Sequence, residues 1–214
     1  MTHSTSENEI SEGFHFVSAI YNINAPQFLD AATQVANTAI TDTERQQKQK
    51  DLYPAAMSAH LGEDERLKGL SEFLLGYATK ILAAQGYNMA SVVPVINEFW
   101  LQEHFIYSSM DQHVHDRGAQ INAFFVIDNA ENGCKFCIHD PRPGKVQAGL
   151  EQADFNTVTY ASNQVFFELK PGTCVLTNSW LPHSFTRNGS NKPTRFFHIN
   201  IGVKPVETSK AIVI

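Results

Sequence analysis

The stretch INAFFVIDNAENGCKFCIH, residues 121–139, decides the fold of this protein. Residues 121–128 and residues 134–139 are rich in Phe, Ile and Val, and the loop NAENG at residues 129–133 separates them. Aromatic and β-branched residues favour strands, and Asn and Gly favour the tight loops between strands. The stretch therefore predicts two short strands joined by a hairpin loop.

The same pattern, short strand-like runs separated by turn-forming residues, continues through the second half of the chain. Turn-forming sequences such as DPRPG, KPG and NGSNKP separate the runs, and no long helical pattern lies between them. Many short strands without intervening helices predict an antiparallel sandwich, barrel or jelly roll. The further strand-like runs are residues 91–100, 104–109, 156–161, 164–170, 173–178, 183–188 and 194–203.

The first part of the chain has a mixed pattern. Residues 26–40 and residues 63–86 carry apolar residues at helical spacing, and Gly86 can end the second helix in a left-handed conformation. A polar link, residues 41–54, joins the two helices, and residues 13–23 alternate like a first strand.

The predicted organisation follows from these two halves. We expect a disordered tail over residues 1–12 and a single domain over residues 13–214. In it, residues 13–90 form a helical buttress and residues 91–205 a jelly-roll core, which makes an α+β protein that is mainly β.

Composition excludes several classes of function. The 214 residues are 43% hydrophobic and 18% charged, with a net charge of -6. The sequence contains no cluster of Lys and Arg residues, so it does not predict a nucleic-acid-binding surface. The polar start is unlike a secretion signal, and no segment reaches the roughly 18 apolar residues that span a bilayer. We therefore expect a cytoplasmic protein with no membrane segment and leave its oligomeric state open.

Three cysteines, an odd number, favour reduced thiols rather than a disulfide framework. Cys134 and Cys137 form a C-x-x-C spacing, but on a strand this spacing places the two thiols on opposite faces. We interpret them as structural residues.

The segment DQHVHDRG, residues 111–118, contains the first candidate metal ligands. On an extended strand, His113 and His115 point to the same face, close enough to bind one ion. His183 is the candidate third ligand, because it begins a late strand. Asp116 stays an alternative to His115, although two adjacent ligands would need a bulge or turn.

Arg195 is a candidate for binding a carboxylate. It opens the run after the NGSNKP turn, so its strand can fold back beside the strand of His183. A guanidinium group directed at the same cavity would suit a carboxylate ligand.

Several motifs in order resemble one family. They are Trp100, the HVH of residues 113–115, a hairpin ending in the DPR of residues 140–142, PGTCVLTNSWLPH at residues 171–183, and Arg195. Together they resemble the iron(II)- and 2-oxoglutarate-dependent oxygenases, specifically a small group with an H-x-H motif that is common in bacteria and tailed phages.

The resemblance implies a double-stranded β-helix, a cupin-like jelly roll, that uses Fe(II), O2 and 2-oxoglutarate. His113, His115 and His183 would bind the iron, and Arg195 would bind the distal carboxylate of 2-oxoglutarate. The implied reaction decarboxylates 2-oxoglutarate to succinate and CO2 and is coupled to oxidation, as by a hydroxylase, of a small-molecule or protein substrate.

Two residues depart from the pattern of the family. His115 stands where the wider superfamily has a carboxylate, and Phe197 stands where a small polar residue follows the arginine. Asn200 or His198 could supply the polar contact that Phe197 lacks.

The alternatives are a three-histidine cupin dioxygenase that does not use 2-oxoglutarate and a non-catalytic β-barrel binding module. The DPR segment is either a structural turn or a contributor to the mouth of the site.

Overall fold

The computed structural model describes residues 20–115, 118–142, 149–159 and 161–206. Three α-helices lie in these ranges: α1 (Leu29–Ala39), α2 (Asp42–Lys48) and α3 (Lys68–Ala84). The strands are β1 (Ile20–Asn24), β2 (Ala55–Met57), β3 (Val92–His104), β4 (Met110–His113), β5 (Ala119–Asp128), β6 (Lys135–His139), β7 (Gln164–Glu168), β8 (Thr173–Asn178), β9 (His183–Phe185) and β10 (Thr194–Pro205).

The strands form two antiparallel sheets. The larger has the order β1-β8-β5-β10-β3-β2, and the smaller has the order β4-β9-β6-β7. Phe124 and Phe196 of the larger sheet and Phe136 and Phe185 of the smaller belong to one buried cluster, so the sheets pack face to face. The jelly-roll prediction is confirmed.

The other face of the larger sheet carries the helices. Leu70, Leu74 and Ile81 of α3 share a second buried cluster with Phe99 and Phe197 of the sheet. The larger sheet therefore lies between two cores, one against the helices and one against the smaller sheet. No helix of the described ranges is long and apolar enough to cross a membrane.

Both predicted helices are present. A 3-10 turn, Pro26–Phe28, leads into α1, and another, Glu65–Leu67, leads into α3. Gly86 has a φ of 87°, the left-handed conformation that was expected after the second helix.

The polar link contains a helix that the apolar pattern did not predict. The Thr41 side chain accepts a hydrogen bond from the Glu44 N–H at 3.2 Å, and the Glu44 carboxylate accepts one from the Thr41 N–H at 2.8 Å. This reciprocal capping box satisfies backbone donors at the start of α2. A helix begins there without an apolar face, and the T-x-x-E spacing was the signal for it.

Two predicted strands are wrong. β3 ends at His104, and residues 105–109 form a turn in which Tyr107 has a φ of 68°. The described residues of the run 156–161 form no strand, because Asp154 accepts hydrogen bonds from the Asn156 N–H and the Thr157 hydroxyl and so makes a turn at the start of the run. The expected tail, residues 1–12, lies outside the described residues.

Cys134, Cys137 and Cys174 are all buried free thiols. Burial raises the pKa of Cys134 to about 11, and burial is also the main cause that raises the pKa of Cys137. Protonated, buried thiols agree with the structural interpretation of the C-x-x-C spacing.

Candidate metal centre

Three histidines converge at one end of the space between the sheets. The ring centroids of His113 and His183 are 4.5 Å apart, those of His113 and His115 5.0 Å, and those of His115 and His183 5.1 Å. One nitrogen of each ring lies within 4.8 Å of the others, as ligands of a single ion would. The structure therefore brings together all three histidines that the sequence singled out.

The backbone places each of these rings. His113 ends β4 and is paired in register with His183 on β9. His115 lies just beyond the end of β4, and its N–H donates to the carbonyl of Ser179 at 2.9 Å. A strand-end hydrogen bond, rather than a continuous strand, thus holds the second histidine beside the first.

Backbone carbonyls also fix the tautomers of two rings. The Nδ1 of His183 lies 2.9 Å from the carbonyl of Leu181, and the Nδ1 of His113 lies 2.7 Å from the carbonyl of Asp111. A carbonyl only accepts, so each Nδ1 carries the hydrogen and each Nε2 keeps a free lone pair. Both rings are therefore prepared to bind a cation through Nε2.

Burial keeps His183 neutral. Its side chain is fully buried, and burial is the main cause that lowers its pKa to about 3. Its Nε2 is buried without a hydrogen-bond partner among the described residues. A neutral imidazole with a bare lone pair beside two other imidazoles is the donor set of a transition-metal site, so the residues fit an iron ion.

Aromatic side chains form the wall behind the triad. The ring of His183 lies 5.3 Å from that of Phe124 and 5.6 Å from that of Phe136, measured between centroids. His113 and His115 are only partly buried, and Val114, which lies between them in the chain, is exposed, as is Trp180. The triad thus has an apolar interior behind it and an approach from solvent.

The segment Ser179-Trp180-Leu181 contributes positioning residues that the sequence analysis did not assign. The Ser179 hydroxyl donates to the carbonyl of Ala119 at 2.6 Å, and Leu181 is fully buried between the sheets. These anchors fix the two carbonyls that hold His115 and His183. The signal in the sequence was the S-W-L-x-H spacing itself.

Arg195 is not brought to the triad. Its Nε donates to Asp128 at 2.6 Å, and its NH1 donates to Asn37 of α1 at 2.9 Å. Side chains alternate along a strand, and Phe196 and His198 point between the sheets, so Arg195 points to the helices. In this structure Arg195 therefore lies apart from the three histidines, and its role as a carboxylate partner stays a prediction.

Two further candidates have different outcomes. Asp116, the alternative to His115, lies outside the described residues. Asp140 and Arg142 of the DPR segment form a two-pronged ion pair, with Nε–Oδ1 at 2.8 Å and NH2–Oδ2 at 2.7 Å. This pair favours the turn interpretation of the segment.

Comparisons with known proteins agree with the architecture. No protein-family model matches the chain, and no curated protein matches it. Among solved structures, an oxidoreductase of the 2OG-Fe(II) oxygenase family from Burkholderia pseudomallei is 10% identical with a TM-score of 0.56, covering 94% of this chain and 91% of its own. AviO1 from Streptomyces viridochromogenes is 17% identical with a TM-score of 0.60, covering 94% and 96%.

A Pseudomonas putida prolyl-4-hydroxylase is 9% identical with a TM-score of 0.56 and covers 93% of this chain and 99% of its own. These likenesses extend over nearly the whole chain, and at such low identity they concern the fold. The chain therefore has the fold of the 2OG-Fe(II) oxygenases, and within that fold three histidines lie near one another.

Proposed function

We propose that this protein is an iron(II)- and 2-oxoglutarate-dependent oxygenase. The observation that supports this function best is the cluster of His113, His115 and His183 at one end of a jelly roll. A three-residue set leaves coordination positions open for other ligands. Bound there, iron(II) would supply the activation of O2 and a chelation site for the oxo acid.

The three imidazoles would hold the metal without neutralising it. Each is an uncharged ligand, so the ion keeps its full double positive charge, unlike in a site with a carboxylate ligand. This charge favours an anionic chelator such as the oxo-acid end of 2-oxoglutarate. The carbonyls of Asp111 and Leu181 keep two of the rings oriented while ligands exchange.

The aromatic wall would exclude water from the oxidation. Phe124 and Phe136 are fully buried against His183. The substrate would approach from the side of Val114 and Trp180, where the structure is open to solvent. A dry wall behind the ion, with the approach from solvent, would direct oxidation to the bound substrate.

The overall reaction would consume 2-oxoglutarate, O2 and a substrate C–H bond, and it would release succinate, CO2 and the hydroxylated substrate. One oxygen atom of O2 enters succinate and the other enters the product. Reduction of O2 takes four electrons: two come from the substrate C–H bond, and two come from the oxo acid as it loses CO2.

Succinate formation tests this proposal. The protein is incubated with Fe(II), 2-oxoglutarate and O2, and succinate is measured with and without each component. We expect succinate only in the complete mixture, and none from His183→Ala, which removes the most buried ligand. His60→Ala, at an exposed histidine outside the triad, is the matched control and should behave as wild type. Succinate from His183→Ala at the wild-type rate would contradict the proposal.

A three-histidine dioxygenase that uses no 2-oxoglutarate is the second candidate. Two observations favour it: the triad is all-imidazole, and Arg195 points away from it. Such an enzyme would consume O2 with its substrate when 2-oxoglutarate is omitted. Metal-dependent O2 uptake that is unaffected by 2-oxoglutarate would select this candidate over the first.

A further inference from the structure

The inner face of the larger sheet carries a row of buried polar side chains. Asn200 of β10 is paired in register with Asn122 of β5, and Asn122 is paired with Thr177 of β8. All three are at most 4% exposed. We call Asn122, Thr177 and Asn200 the polar row.

Most hydrogen-bonding atoms of the polar row have no partner among the described residues. They are both amide atoms of Asn122, the hydroxyl of Thr177 and the Oδ1 of Asn200. Both ring nitrogens of His198, two residues before Asn200 on the same strand, are also buried without a partner. Leaving such an atom unpaired costs about 1–3 kcal/mol, so folded proteins contain few of them.

The polar row lies beside the triad. The ring of His198 is 4.8 Å from that of His115, centroid to centroid. Ser179, whose carbonyl holds His115, follows Thr177 by two residues and comes directly after the end of β8. The unpaired atoms therefore concentrate next to the metal centre, where a ligand would be bound, instead of being scattered through the core.

The row is uncharged. Among the described residues of β5, β8 and β10, no buried side chain on the face of the polar row is a lysine or an arginine, and Lys204, near the end of β10, is exposed. The Nδ2 of Asn200 donates to Glu98 at 2.6 Å, which places a carboxylate, not a cation, at the edge of the row. Arg195 is on the other face of β10, paired with Asp128.

We propose that the polar row, with His198, binds the end of the oxo-acid co-substrate that does not chelate the metal. Asn122 offers an N–H donor and a carbonyl acceptor, and the Thr177 hydroxyl can donate or accept. Such groups bind a carboxylate or an amide by hydrogen bonds without an ion pair. The inference rests on the proposed function, because the other end of the co-substrate must be held at the triad.

The chemistry of the row has a consequence for specificity. A site with a buried cation rejects a neutral analogue, because its own charge would be left unpaired. A site of amides and hydroxyls loses little when a carboxylate is replaced by a carboxamide. We therefore expect 2-oxoglutarate and its distal monoamide, 2-oxoglutaramate, to bind with similar affinity.

The experiment measures binding to protein loaded with Zn(II), which occupies histidine sites without redox chemistry. Calorimetry gives the Kd of each oxo acid for wild type, Asn122→Leu and Thr177→Val. The concentration of 2-oxoglutaramate is that of its open-chain form, measured by NMR, because its amide adds reversibly to its own ketone. We expect the Kd values of the two oxo acids to agree within about threefold for wild type, and the Kd of 2-oxoglutarate to rise about tenfold or more in Asn122→Leu. Zinc content, measured on each variant, should be unchanged.

Ser71→Ala is the matched control, because Ser71 of α3 also has a buried, unpartnered hydroxyl but lies in the helical layer. It should leave the Kd unchanged. Asn122→Leu should also raise the unfolding temperature of the ligand-free protein, since it removes unpaired polar atoms, while reducing the further rise caused by 2-oxoglutarate. Thr177→Val repeats the test with a change of similar volume.

Three results would overturn the inference. Unchanged affinity in both row variants would mean that the row holds only water. A loss of more than about thirtyfold for 2-oxoglutaramate would indicate a cationic partner elsewhere in the site. In either case succinate formation would persist in wild type and the proposed function would stand. If zinc-loaded wild type binds no 2-oxoglutarate and iron-loaded wild type forms no succinate, both proposals fail.

Discussion

Backbone carbonyl groups determine how the histidines of the triad are oriented and, for two of them, which ring nitrogen can bind a metal. The carbonyls of Asp111 and Leu181 fix His113 and His183 as Nε2 ligands, and the carbonyl of Ser179 holds His115 in place. The identities of the three histidines were predictable from spacing and motif order. Their orientation was not, because it depends on carbonyls that reach the rings only after β4 and β9 have paired.

A fourth histidine gives a prediction about pH. His104 is buried between the rings of Phe185 and Phe196, and its nitrogens contact the Gln102 amide and the Ser108 hydroxyl at 3.0 Å. Burial lowers its pKa from 6.5 to about 4. As the pH falls, the unfolded chain therefore binds this proton first, and the folded state loses stability.

The contribution of His104 is complete above about pH 6.5 and is lost as the pH falls toward about 4, at a cost of about 3 kcal/mol. Denaturant unfolding at a series of pH values measures this loss. His104→Leu should be less stable near neutral pH, because Gln102 and Ser108 lose a partner, but its stability should depend less on pH over this interval. An equal pH dependence in the variant would contradict the buried, neutral state of His104.

At the scale of elements, β10 is a strand whose two faces could not be assigned from the sequence. The run RFFHINIGV has apolar residues at both odd and even positions, because one face packs on helices and the other on the smaller sheet. Period-two alternation cannot distinguish the faces of a strand that is buried on both sides. The pairing of β10 with β5 also shifts between Arg195 and Phe196. The face of Arg195 could therefore not be read from its place in the run.

Arg195 is accordingly expected to stabilise the fold rather than to bind the co-substrate. Arg195→Met removes hydrogen bonds to Asp128 and Asn37, and because Asp128 is half exposed the loss should be about 1–2 kcal/mol. The Kd of zinc-loaded protein for 2-oxoglutarate should stay within about twofold of wild type. If Arg195→Met had normal stability but a much weaker affinity for 2-oxoglutarate, Arg195 would be a co-substrate ligand and the structural role would be contradicted.

The neighbouring pair Arg45–Glu103 should be more sensitive. The Glu103 carboxylate is fully buried and accepts from the Nε of Arg45 at 2.9 Å and from its NH2 at 3.0 Å. Arg45→Met would leave a buried carboxylate with only the longer 4.0 Å contact to Arg195, so we expect a loss of about 3–5 kcal/mol in unfolding experiments. Glu103→Gln in the same background should recover part of this stability, and a failure to do so would contradict the ion-pair explanation.

At the scale of the whole molecule, the larger sheet separates the main apolar core, on one face, from the candidate metal centre on the other. Its helical side holds the larger apolar cluster, and its other side holds the triad, the aromatic wall and the polar row. The succession of short strand-like runs predicted the jelly roll, and the helical spacing of apolar residues predicted the helical layer that packs on it. The cross-strand alignment of the polar row was not predictable, because residues 122, 177 and 200 are brought together only by the register of three strands.

This separation predicts that the helical layer can be weakened without affecting the metal centre. Leu74 of α3 is fully buried against the sheet, so Leu74→Ala should cost about 2–5 kcal/mol in the free energy of unfolding. The affinity of the folded variant for Zn(II) should equal that of wild type, since the altered side chain lies across the sheet from the histidines. A parallel loss of metal affinity would show that the two cores are coupled.

The central claim is that His113, His115 and His183 together bind one iron ion, and Fe(II) binding without O2 tests it most directly. Purified protein is titrated with Fe(II) anaerobically and the bound metal is measured after removal of the excess. We predict one Fe(II) per chain for wild type and His60→Ala, and an affinity weaker by about a hundredfold or more for His183→Ala. Wild type that retains no iron, or His183→Ala that retains as much as wild type, would contradict the claim.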